Sequence, residues 1–257
     1  MTQPVYNPTS GQLGSFRSDG TAAHLALPIL EDNSLSKPSL ATFASQTLGW
    51  VAIQLTVTCA ISGVMYARKE TVIDYLPDHM WAFWLPIIML FFSLGCMYMT
   101  ASHHRDRRLG WFCVFTLSMS FVVGVSVIQY SPEVVLLSAG TTWIIVCGAA
   151  AYSNGLAKRG KDLDSCGPAL GGILTTVLII GFANVFLKLP WVSVGLSAVS
   201  VVLFTCYLAY DLCRLYLAKD ADDPMMADGL LPAVEIYLDI VNIFVNLLSL
   251  IGGSSGD

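Results

Sequence analysis

Four polar side chains share one face of a segment that is otherwise built for hydrocarbon. Within Leu230 to Ile251 (LLPAVEIYLDIVNIFVNLLSLI), Glu235, Asp239, Asn242 and Asn246 fall at i, i+4, i+7 and i+11, one stripe of a helix. A carboxylate in a bilayer costs roughly 2.5–3.5 kcal/mol even by the lenient insertion scale, so it faces protein or water and has a partner. The segment contains no Lys or Arg. The preceding apolar run ends in TCYLAYD and brings a second acid, Asp211. Two carboxyls in contact do not readily both ionise, so such a pair holds a shared proton and has two states. Protonated, it bridges two helices; deprotonated, it repels itself unless a cation enters. Carboxylates with amide neighbours such as Asn242 and Asn246 suit Ca²⁺ better than a transition metal, which makes Asp211 and Asp239 the candidate metal-facing pair of a pH-gated cation path. The competing reading leaves Asp211 as a helix-end acid paired with Arg214 three residues on.

The rest of the chain is what a membrane demands of elements that hold such a pair. Hydrophobic residues make up 55% and charged residues 12%, against about 25% charged in soluble domains, and the mean hydropathy is +0.66. Seven apolar runs, near 46–67, 80–101, 109–130, 133–153, 166–187, 190–211 and 230–252, approach the ~20 residues of a spanning helix. Pro86 lies inside the second, where a spanning helix tolerates it. Trp50, Trp81, Trp111, Tyr130 and Trp191 stand near run ends, as interfacial anchors do. Gly148, Gly171, Gly172 and Gly181 permit close helix approach. The expected fold class is all-α, a polytopic membrane protein of seven transmembrane helices over residues 43–252. Residues 1–42, rich in Ser, Thr, Pro and Gly, are expected to be a disordered cytoplasmic tail, and 253–257 a short C-terminal end.

A net charge of −5 argues against nucleic acid as a partner. The seven cysteines lack C-x-x-C or His spacing and read as small apolar side chains. No tightly bound cofactor is expected; Ca²⁺ is expected as the permeant ion and H⁺ as the regulator. Lys and Arg number eight in the loops after runs two, four and six (Arg105, Arg107, Arg108, Lys158, Arg159, Lys161, Arg214, Lys219) and three on the other side (Arg68, Lys69, Lys188). The positive-inside rule then puts the N-terminus in the cytoplasm. By that topology the cluster His103 to Arg108 shares a leaflet with Asp211, where one of its arginines is placed to pair with the acid and close the path. A positive-inside anchor in solvent is the competing reading of each arginine. His103 and His104 would add pH sensitivity.

These residues resemble a known family. Ala233 to Phe244 (AVEIYLDIVNIF), with Ala209-Tyr210-Asp211, is similar to the tail motifs of the Bax-inhibitor (transmembrane Bax inhibitor motif, lifeguard-like) family. Leu48 to Thr58 (LGWVAIQLTVT) resembles its first-helix motif. Lys158 to Asp162 and Asn184 to Phe186 resemble the two ends of its fifth helix. The resemblance covers about residues 43–252. It implies a seven-helix fold and a pH-sensitive Ca²⁺ leak governed by two aspartates, here Asp211 and Asp239. It also implies an arginine latch at the cytoplasmic end of the second helix, Arg105 first and Arg107 behind it; from the residues alone Arg108 and, after run six, Arg214 are further candidates. Glu235, one turn before Asp239, is expected to add a third carboxylate at the pathway mouth. The resemblance further implies restraint of cell death, with membrane-protein partners in that machinery. The expected address is the endoplasmic reticulum, Golgi or another endomembrane in a eukaryote, and the plasma membrane in a bacterium. The leading expectation is a calcium-permeable leak channel or calcium/proton exchanger. The alternative is a membrane scaffold that regulates apoptosis, with the aspartates as a structural latch only. An enzyme is not expected, since the sequence carries no intramembrane His–Glu metal set, G-x-S-x-G or phosphate loop. A retinal receptor is disfavoured because run seven has no Lys.

Overall fold

The structure is a computed structural model that describes residues 40–100, 104–220, 223 and 226–253. The expected tail, residues 1–42, lies outside them except for its last three positions; His103 and residues 254–257 also lie outside. Among the described residues eight α-helices follow in order: α1 (Leu40–Ala67), α2 (Lys69–Asp78), α3 (Met80–Met99), α4 (Arg105–Val127), α5 (Pro132–Lys158), α6 (Gly167–Leu187), α7 (Pro190–Tyr216) and α8 (Leu230–Gly253). Among the described residues seven helices, all but α2, are long and apolar enough to cross a membrane, and no strand occurs.

Helix α8 is the centre of the bundle. It packs against α1, α4, α5 and α7, while α6 packs against α7 and α3 against α4. Burial follows that arrangement: half of the apolar window of α4 and of α8 is enclosed, against 11% for α6. In lipid the apolar side chains of α8 gain little from leaving their surroundings, so the helices are held by close packing and by polar contacts between them. Leu231, Ala233, Tyr237, Ile243 and Leu248 are fully enclosed. Conversely Phe91, Phe92, Leu178, Phe182, Phe186 and Val202 stand exposed and form the surface turned to hydrocarbon.

Two boundaries differ from the expectation. Helix α7 runs on to Tyr216 instead of ending near Asp211, because the Tyr, Leu and Cys that follow keep one face apolar. Asp211 therefore sits five residues, roughly 8 Å, inside its helix. Helix α2 was not expected; it is short and carries Lys69, Glu70, Asp74 and Asp78, so a search for 20-residue apolar runs passes over it.

Specific side chains close the joints. The α6 end is held by Asn184, whose Nδ2 donates to Ser193 Oγ (2.8 Å) and whose Oδ1 accepts from the Leu189 N–H. Ser153 Oγ on α5 donates to the Ala209 carbonyl of α7 (2.7 Å). Between α1, α4 and α8 lies a buried hydroxyl network. Thr58 Oγ1 donates to the Gln54 carbonyl and sits 2.7 Å from Tyr237 Oη and 2.9 Å from Ser120 Oγ. With the Thr58 hydrogen so committed, Tyr237 is the donor in their contact.

Candidate functional site

Helices α7 and α8 pack along their length and bring Asp211 and Asp239 into hydrogen-bonding reach of each other. Asp239 is 5% exposed, and nine residues from Leu230, roughly 14 Å along α8, place it near the middle of a ~30 Å hydrocarbon layer. Its Oδ2 is buried with no hydrogen-bond partner among the described residues. Like charges so placed need a shared proton or a cation between them.

Glu235 stands near them. It is half-buried one turn earlier on α8, within electrostatic range of both aspartates, and its Oε1 accepts from Tyr98 Oη of α3 (2.9 Å). Tyr207 is also within electrostatic range of both aspartates. Asn242 and Asn246 continue the stripe, but each Nδ2 turns back on its own helix, to the Leu238 and Asn242 carbonyls (2.8 Å each). That leaves their carbonyl oxygens as what the amides offer a cation. Among the described residues no three His, Cys, Asp or Glu side chains converge on a metal-holding geometry, so the carboxylates are neighbours rather than a preformed chelate.

The cations are arranged differently from the expectation. Arg105, the first candidate for the latch, and Arg107 are exposed at the start of α4, and among the described residues neither forms an ion pair with Asp211. The helical phase of α4 turns Arg108 inward instead. Its side chain is fully enclosed, and Nη1 lies 2.9 Å from Asp228 Oδ2 in the α7–α8 connection. The sequence carried a signal for this: Arg108, Phe112, Phe115 and Met119 repeat at i, i+4, i+7, i+11, and all four are buried. Asp228 also accepts the Leu230 N–H at 3.1 Å, which caps the start of α8. Burial pushes the Asp228 carboxyl above its usual range, opposed by the Leu230 N–H, Arg108 and Arg105.

Arg214 is the cation within electrostatic range of Asp211 and Glu235. Its ion pair, however, is with Asp220, and it donates to Tyr210 Oη at 3.3 Å. The simple i, i+3 pairing of Asp211 with Arg214 is thus replaced by Asp220, which the sequence reading missed. Beyond it, Lys219 Nζ joins Asp164 and Asp162, the latter at 2.8 Å, and this cation holds the exposed Asp162 carboxyl below its usual range. These contacts tie the connections α5–α6 and α7–α8 together at the end of the bundle where Gln46 of α1 donates to the Asp228 carbonyl (3.4 Å).

Fold and site together define a multi-pass membrane protein with a carboxyl cluster on its central helix. Comparison with known proteins makes the assignment specific. Residues 40–256 match the family described as "Inhibitor of apoptosis-promoting Bax1". Protein LIFEGUARD 2 of Arabidopsis thaliana is 26% identical over 213 residues, 82% of this chain and 87% of that protein. A BI1-like protein of the same plant is 29% identical, over 81% and 79% of the two chains. An uncharacterised protein of Helicobacter pylori (strain J99) is 27% identical, over 86% and 91%. The chain belongs to the Bax-inhibitor family.

Proposed function

We propose that this protein is a calcium-permeable leak pathway, as a channel or a calcium/proton exchanger, in which protonation of the Asp211–Asp239 pair sets whether the ion passes. The observation that carries this reading is the side-by-side placement of the two carboxyls inside the bundle, with Glu235 beside them and Asp239 Oδ2 unpartnered among the described residues. An acid at that depth is costly unless it serves an ion or a proton. The role is non-catalytic. The basic loops face the cytoplasm by the positive-inside rule, and the family description supports a place in the restraint of cell death, which we propose is exercised through membrane-protein partners.

The second reading, a scaffold in which the aspartates only latch α7 to α8, is favoured by the lack of a converged three-ligand set among the described residues. Calcium flux into liposomes holding purified protein, from about pH 6 to 8, separates the two. We expect a pH-dependent flux that is flattened in Asp239→Asn and in Asp211→Asn. No flux in well-folded wild type would overturn the leak reading in favour of the scaffold.

A further inference from the structure

On the side of α8 away from α7 lies a cavity of about 640 Å³, the size of a site for a small apolar ligand. Helices α1 and α5 form its sides, with Val123 and Val127 of α4 and Ile240 and Phe244 of α8 behind. Leu136 and Trp143 of α5 line it and remain 72% and 65% exposed, so it opens sideways between α1 and α5 toward hydrocarbon. On α1 it extends from Leu55 to Tyr66. Eleven residue steps make roughly 16 Å, about half of a ~30 Å hydrocarbon layer and therefore one leaflet deep.

Its polar groups single out one position. Thr58 and Thr142 also line the cavity, but each donates its hydroxyl to the carbonyl four residues earlier. Ser62, 8% exposed, does not: its Oγ is buried with no hydrogen-bond partner among the described residues. An unmade hydrogen bond at a buried hydroxyl is costly in an apolar wall, unless a ligand supplies the partner. Beside it, Gly63 leaves room, since a Cβ built there meets nothing within 4 Å.

We propose that this cavity holds one acyl chain of a membrane phospholipid, whose ester oxygen accepts a hydrogen bond from Ser62 Oγ. The chain enters between α1 and α5 and runs toward the bundle centre, and the ester group lies on the Tyr66 side. The site is separate from the carboxyl cluster and stands whatever the ion measurements give.

The test uses full-length protein in phosphatidylcholine vesicles containing a phosphatidylcholine with a photoactivatable diazirine in one acyl chain. Adducts are mapped by peptide mass spectrometry. We expect adducts to concentrate on residues 55–66 and 132–146 relative to exposed α6. Gly63→Leu fills the open space and improves helix propensity; it should lower those adducts about tenfold, as a single misfitting side chain does. Ser62→Ala, which keeps the space, should lower them about fivefold. Gly95→Leu on exposed α3, where nothing lies within 4 Å, should change nothing. Adducts spread evenly over α1, α5 and α6, or a map unaltered by Gly63→Leu, would overturn the proposal. So would a wild-type cavity free of adducts, the result expected if a helix of a second copy of the chain fills it.

Discussion

Gly229 sets where α8 begins, and with it the position of every acid on that helix. Its φ is +72°, and a Cβ there would stand 2.8 Å from Thr47 Oγ1 and 3.6 Å from the Thr47 backbone N and Cα. Gly229→Ala therefore meets two separable penalties. The left-handed conformation costs about 1–2 kcal/mol for a residue with a Cβ. Crowding fully buried Thr47 costs about 1–3 kcal/mol more, for a total of about 2–5 kcal/mol. Denaturant unfolding of the purified protein in detergent, followed by far-ultraviolet circular dichroism, measures the sum. Thr47→Ala in the Gly229→Ala background removes the hydroxyl that clashes and should return the steric part, leaving about 1–2 kcal/mol from the backbone. A Gly229→Ala protein within about 0.5 kcal/mol of wild type, the range of an ordinary surface change, would refute the reasoning. Full recovery in the double variant would refute its backbone half.

Three further outcomes follow from the same geometry. Asp228 has a folded-state value raised by burial, so the stability it contributes is complete below the ordinary Asp value of about 3.9 and is lost as the pH rises through the folded value. The stability difference between wild type and Asp228→Asn should accordingly fall as the pH rises above about 3.9, and a flat difference in denaturation midpoints contradicts this. Tyr237→Phe removes the 2.7 Å contact to Thr58, yet Thr58 keeps its bond to the Gln54 carbonyl, so the loss should be about 1 kcal/mol; a loss above about 3 kcal/mol would mean that the hydroxyl network acts as a unit. Glu235→Gln keeps an acceptor for Tyr98 Oη but removes a charge, and should weaken apparent Ca²⁺ affinity in the flux assay about tenfold. Unchanged affinity and pH dependence would remove Glu235 from the pathway.

What could be read in the sequence was what obeys a period. Seven apolar runs appear as seven long helices, and the stripe Glu235–Asp239–Asn242–Asn246 lies on α8, which packs against α1, α4, α5 and α7. The acids came together because a carboxylate in hydrocarbon has few places to go, and two consecutive helices carried one each. The partners of the arginines were hidden for the opposite reason. Asp220 and Asp228 sit in an irregular connection with no period to place them. Choosing among Arg105, Arg107 and Arg108 required the phase of α4, which the apolar positions 112, 115 and 119 did encode but the charge cluster obscured.

The placement of the acids bears on whether they are a latch or a path. A latch between α7 and α8 requires only hydrogen bonding, and an Asn at either position supplies that without a buried charge; small-residue packing supplies it without any polar group. Ser153 already joins α5 to α7 by a neutral hydrogen bond to the Ala209 carbonyl, two residues before Asp211, so the fold has a cheaper fastening at the same level. Glu235 adds a third ionisable group where a fastening needs none. If Asp211→Asn/Asp239→Asn is at least as stable as wild type, the charges are not there for the fold, and their cost is accounted for only by an ion or a proton that they meet. If it is less stable, with flux unchanged, the pair is a fastening after all and the path must be sought elsewhere in the bundle.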